Sequence, residues 1–195
     1  MARTKKMIGQ QKELAVIIMG SPADGEYAEK IGAVLGEFGV KVVLRVASAH
    51  KTPDHLLKIV EDYDGGDKKV VYIAVAGRSN ALGGFIDCQT QNPVISAPPY
   101  GEKYAGFDIF SSIRMPSGVA TTVASEAEMA ALAAVKIFAL ENPKLRDKFA
   151  DYQKSFRERI VQADKKVNLN SGFCPKLFVT RKGSTQKSSG SPRYK

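Results

Sequence analysis

The sequence predicts an α/β protein with a doubly wound, parallel central sheet, and three observations carry that prediction. Apolar, β-branched runs occur at Leu14–Met19, Val42–Val46 and Val70–Ala76. They are continuous rather than alternating, as expected of buried strands covered on both faces. Segments of helical spacing lie between them, so the order β-α-β-α-β calls for crossover connections, which are right-handed in such sheets.

Each element follows from its local sequence. Ala28, Ile31, Leu35 and Phe38 recur at helical spacing after the first run, and Gly39 is placed to close that helix. Pro53 opens the next helix, which carries Leu56, Leu57 and Val60. Pro93–Ser96 repeats the strand pattern in a shorter form. Residues 125–140 are rich in alanine (Ala127, Ala130, Ala131, Ala133, Ala134), the best helix former, whose small side chain permits close helix packing. Pro143 then starts a last long helix. Its apolar stripe runs through Leu145, Phe149, Tyr152, Phe156, Ile160, Ala163 and Val167. That stripe is longer than one small sheet needs, so it covers the domain or lies against another subunit.

The 195 residues, 44% of them hydrophobic, suffice for one domain with a proper core. The expected organisation is a basic tail over residues 1–12, a single domain over 13–170 and a second basic tail over 171–195. No apolar run approaches the length that spans a bilayer. The first twelve residues are basic with no apolar block behind them, which argues against a secretory signal. Cys88 and Cys174 form no metal-type spacing, and a reducing, cytoplasmic setting is the simplest reading.

The formal net charge of +9 raises the question of nucleic acid, and its location answers it. Arg3, Lys5, Lys6 and Lys12 lie in the first tail. Lys176, Arg181, Lys182, Lys187, Arg193 and Lys195 lie in the last, with no acid among them. These ten cations exceed the whole excess and leave residues 13–170 close to neutral. Solvated, disordered tails are the favoured reading, and nucleic acid is an unlikely partner.

Ligands of open α/β sheets bind beyond the carboxyl ends of the strands. Three such ends carry polar, glycine-bearing turns. The first is Met19-Gly20-Ser21-Pro22-Ala23-Asp24. Gly20 allows a tight turn, and the Ser21 hydroxyl stands near a helix start that favours anions. Asp24 either caps that helix or accepts hydrogen bonds from a ribose; capping is the commoner role. The second turn is Ser48-Ala49-His50-Lys51-Thr52-Pro53. Thr52 and Pro53 signal a helix start, so Ser48 and Lys51 suit a phosphate. A lone histidine is more often structural than catalytic. His50, however, directly follows a buried strand at a polar turn, and imidazole moves protons near neutral pH. His55 lies one turn into the helix, on the expected surface. The third turn is Ala76-Gly77-Arg78-Ser79-Asn80-Ala81-Leu82-Gly83-Gly84, whose glycines permit close backbone approach to a ligand. Taken alone it is an ordinary βα loop and fits neither a P-loop nor a dinucleotide fingerprint. A fourth polar segment, 111–118, is expected to be a non-helical linker that closes a pocket or joins two halves.

These turns, with Met115-Pro116-Ser117-Gly118, resemble in order and spacing the phosphoribosylaminoimidazole carboxylase family of purine synthesis, over about residues 13–168. The resemblance implies a flavodoxin-like three-layer α/β/α sandwich. It implies a homo-octamer with active sites at subunit contacts, a ribonucleotide substrate and carbon dioxide as partners, and no metal or other cofactor. One branch of the family is a mutase that moves a carboxyl group from an exocyclic carbamate. It typically has Ser-Ala-His-Arg and a third loop containing a second histidine. Lys51 after His50, and Gly77-Arg78-Ser79-Asn80 without that histidine, look like the direct carboxylase branch. Carried over by position, Ser21 and Asp24 would bind the ribotide, and Ser48 and Lys51 would help hold its phosphate. Gly77 and Ser79 would line the carbon dioxide site, and His50 would be the acid/base. The competing readings are the mutase and a non-catalytic nucleotide-binding module.

Overall fold

The computed structural model describes residues 12–170, so both basic tails, Lys12 apart, lie outside the described residues. The described residues fall into two units that part between Gln153 and Lys154.

The first unit is built on five parallel strands: β1 (Glu13–Met19), β2 (Lys41–Val46), β3 (Lys69–Val75), β4 (Val94–Ser96) and β5 (Thr122–Val123). Their order across the sheet is β2-β1-β3-β4-β5. This is the flavodoxin-like order, in which the chain reverses direction between β1 and β3. In register, Met19 of β1 stands beside Val46 of β2 and Val75 of β3, so three strands end level with one another.

Side-chain alternation assigns each strand's residues to two cores. Ala15, Ile17, Val71, Ile73 and Val75 pack with α1 (Gly25–Phe38) and α5 (Ala127–Ala139). Leu14, Val16, Ile18, Val70, Tyr72 and Ala74 pack with α2 (Pro53–Asp64) and α3 (Ala81–Asp87). Both faces of β1 and β3 are therefore buried, as their unbroken apolar runs predict. The expected helical stripe of α1 is the observed one: Ala28, Ile31, Leu35 and Phe38 are buried, and Gly39 ends the helix at φ +80°. Of the alanines in α5, Ala130, Ala131 and Ala134 are fully buried.

Two expectations change. Val42–Val46 does not form a buried strand: β2 is the sheet edge, and Leu44 and Val46 are each 41% exposed. Residues 111–113 are not linker but the end of a short helix, α4 (Phe110–Ile113). The tyrosine inside β3 also needs a polar exit, which its helix supplies. The Tyr72 hydroxyl lies 2.6 Å from Asp64 Oδ1 and 3.1 Å from the Val60 carbonyl.

The last helix is α6 (Pro143–Asn170). In the first unit its stripe begins with buried Leu145 and continues with Phe149 and Tyr152, whose rings pack on Phe38 at 6.0 and 5.3 Å. In the second unit Arg159 lies 3.9 Å over the Phe156 ring, and Ile160 and Val167 are exposed.

Candidate active site

The three level strand ends of β1, β2 and β3 open into one cleft of about 580 Å³. Every residue singled out as a site candidate lines it. Ser21 and Asp24 come from the first turn, Ser48, His50 and Lys51 from the second, and Gly77 and Ser79 from the third. Arg78 lines it too. The convergence follows from topology, because the β1/β3 reversal leaves the space beyond those ends uncovered by a crossover helix.

The first turn starts with a close approach. Gly20 has no unusual backbone angle; instead its backbone passes the Ala76 side chain so closely that a Cβ would stand 3.1 Å from Ala76 Cβ. The glycine therefore brings the first and third turns together rather than making a tight turn. Ser21 caps the following 3₁₀ turn, its Oγ accepting the Ala23 N–H at 3.2 Å. Asp24 makes no side-chain cap hydrogen bond to α1, which corrects the capping reading. Its carboxyl is half-buried at the cleft. Burial pushes it above the ordinary aspartate range, and a hydrogen bond from the Ser21 backbone partly offsets this.

The second turn closes on itself. Ser48 N–H donates to Thr52 Oγ1 at 2.9 Å, Thr52 Oγ1 donates to the Ser48 carbonyl at 3.3 Å, and Lys51 N–H donates to Ser48 Oγ at 3.3 Å. These bonds hold the loop rigidly before Pro53, the first residue of α2, whose own N–H is missing where none is needed. His50 and Lys51 are exposed at its tip, and His55 is exposed on α2 as expected.

The third turn contains Arg78 at φ +55°, a left-handed conformation unusual for a residue with a side chain. Asn80 ends the turn fully buried. Gly83 serves packing rather than a ligand: α3 presses on β4 there, against the Ser96 side chain. Sequence reasoning missed the partners of this turn. Arg78 N–H donates to Asp108 Oδ2 at 3.3 Å, Asn80 N–H to Ser111 Oγ at 2.9 Å, and Asn80 Nδ2 to Ser112 Oγ at 2.8 Å. Residues 114–118 do not line the cleft; Met115 packs against Gly84 instead.

Chemically the cleft offers two cations, Lys51 and Arg78, one half-buried carboxyl, two serine hydroxyls on the first two turns and an imidazole. Such a set suits a small phosphorylated metabolite, with the phosphate near the amino end of α2 and a proton-transfer group beside the rest. Fold and cleft thus define a doubly wound α/β protein with a small-molecule site at its switch point. The chain belongs to the AIR carboxylase family, whose family pattern matches residues 14–159. It is 53% identical over 153 residues to a phosphoribosylaminoimidazole carboxylase of Archaeoglobus fulgidus, covering 78% of this chain and 84% of the relative. It is 40% identical to the Treponema denticola enzyme of the same name, covering 80% and 98%. The crystal structure of Treponema denticola PurE superposes with a TM-score of 0.78 over those same shares of the two chains. A bifunctional phosphoribosylaminoimidazole carboxylase/phosphoribosylaminoimidazole succinocarboxamide synthetase of Rattus norvegicus is 40% identical over 78% of this chain, which spans 36% of that protein.

Proposed function

We propose that this chain is a phosphoribosylaminoimidazole carboxylase of purine biosynthesis, a carbon–carbon lyase that joins carbon dioxide to 5-aminoimidazole ribonucleotide. The observation that carries the reading is the single cleft shared by Ser21, Asp24, Ser48, His50, Lys51, Gly77 and Ser79, in a chain of this family. The relatives named above carry the carboxylase name, which favours direct carboxylation over the mutase. The non-catalytic module leaves an imidazole at the cleft without a task.

The aminoimidazole ring is an electron-rich enamine. Its ring carbon attacks the carbon of CO₂, a C–C bond forms, and one C=O electron pair becomes the second carboxylate oxygen's charge. The attacked ring carbon is then tetrahedral and still holds its hydrogen. His50 takes that proton, the C–H electron pair restores the aromatic ring, and 4-carboxy-aminoimidazole ribonucleotide results. General-base help of this kind is worth about 10²–10⁴-fold. Ser48, Lys51 and the start of α2 hold the phosphate, while Ser21 and Asp24 hold the ribose. That remote binding energy fixes the ring against a small neutral gas that offers few handles of its own. Gly77 and Ser79 line the carbon dioxide end.

The chain acts in the cytoplasm as a homo-oligomer, with an octamer the expected size. Exposed Tyr100, Phe107, Phe110 and Ile113 on the segment behind the third turn support self-association. Mass from light scattering tests the size. The activity is tested with purified protein given either aminoimidazole ribotide with bicarbonate-derived CO₂, or the carbamate. Consumption of the first supports the carboxylase; consumption of the carbamate alone supports the mutase.

A further inference from the structure

The third turn is held from behind by residues that stand outside the cleft. Arg78 is in a left-handed conformation that a side-chain-bearing residue adopts unwillingly, and its N–H donates to Asp108 Oδ2 at 3.3 Å. Two residues on, Asn80 is completely buried and uses both its main chain and its side chain. Its N–H donates to Ser111 Oγ at 2.9 Å, and its Nδ2 donates to Ser112 Oγ at 2.8 Å. Ser111 is itself oriented, because its hydroxyl donates to the Asp108 carbonyl at 2.8 Å. Three hydrogen bonds thus run from the turn to a segment about thirty residues later in the chain. Asn80 Oδ1 finds no partner among the described residues, so the side chain is kept at a cost in burial that the hydrogen bond from its Nδ2 to Ser112 Oγ must offset.

We propose that Asp108, Ser111 and Ser112, acting through Asn80 and the Arg78 amide, are positioning residues for the carboxylation. They preset the 77–80 turn, so that Gly77 and Ser79 line the carbon dioxide end before any ligand arrives. The second turn closes on its own hydrogen bonds, and the first has its own cap at Ser21 and meets the third only at its base, where Gly20 passes Ala76, ahead of the clamped residues 78–80. The hydrogen bonds to Asp108, Ser111 and Ser112 therefore support the carbon dioxide end alone. The inference rests on the functional reading above for the identity of the two substrates, but not for the clamp itself.

The test combines amide hydrogen exchange on the ligand-free protein with steady-state kinetics, for Ser111→Ala, Asp108→Ala and the conservative Asp108→Asn. Half-buried Asp108 supplies a variant that keeps the fold if Ser111→Ala does not. The expected result is exchange at the Arg78 and Asn80 amides faster by about tenfold or more, with β3 unaffected. The KM for CO₂ rises by about tenfold while that for the ribotide stays within about twofold, and Asp108→Asn, which keeps an acceptor oxygen, lies near wild type. Unchanged exchange over 77–80, or a ribotide KM that rises as much as that for CO₂, overturns the clamp. If the wild type consumes the carbamate and not CO₂, the functional reading fails, and the exchange measurement still decides the clamp.

Discussion

The backbone of Gly83 runs so close to Ser96 that a Cβ on the glycine would stand 2.1 Å from the serine Oγ and 3.4 Å from its Cβ. Helix α3, which starts at the end of the third site turn, is thereby seated directly on β4. Ser96 Oγ is buried and has no partner among the described residues. Gly83→Ala is expected to destabilise by roughly 1–3 kcal/mol, because the buried Ser96 hydroxyl or the helix must shift to admit the Cβ, and alanine's better helix propensity offsets only part. Ser96→Ala alone, which deletes an unpartnered buried oxygen, stays within about 1 kcal/mol of wild type or above it. The double variant recovers most of the loss. Denaturant midpoints of the four proteins give the coupling, and additive effects would contradict the close approach.

Asp24 trades stability for its place at the cleft. Burial raises its folded-state pKa above the unfolded one. As pH rises through that interval the unfolded chain releases its proton first, so stability falls there and stays lower above it. Asp24→Asn removes this cost. Its thermal midpoint should exceed that of wild type at about pH 7, with the difference shrinking towards about pH 3, where both states are protonated. In the same variant the ribotide KM should rise. An Asn variant that is less stable at neutral pH, or binds ribotide normally, counts against the assignment.

Lys51 tests the phosphate end. Lys51 is exposed and lines the cleft two residues before α2 begins, and the bonds that close its turn use its main chain and not its ammonium. Lys51→Ala should raise the ribotide KM by roughly ten- to a hundredfold, the scale of a lost hydrogen bond to a charged group, and change kcat little. A fall in kcat at constant KM would move Lys51 from substrate anchoring to the chemical step.

The parts of the fold legible in the sequence were those with strong local signals. β1 and β3 read as buried because both faces demand apolar residues, and Gly39 marked its helix end by needing φ +80°. The cleft was legible because three polar turns each followed a strand in chain order. Edge position was not legible: Val42–Val46 has the same composition as its neighbours, and only the sheet order exposes Leu44 and Val46. β5 is two residues long, too short for any periodicity. The roles of Gly20 and Gly83 are also long-range facts, since each glycine faces a strand or turn distant in sequence. The links from Asn80 to Ser111 and Ser112 leave no spacing signature either, because they join loops whose separation is set by the fold alone.

In the proposed reaction the His50 imidazole, beside the bound ribotide, removes the proton from the newly carboxylated ring carbon. The most direct test is His50→Asn, with ribotide affinity measured by calorimetry and carboxylation followed with labelled CO₂. The expected result is ribotide affinity within about threefold of wild type and turnover reduced by about 10²-fold or more. Turnover close to wild type, with the ribotide still bound, would contradict it.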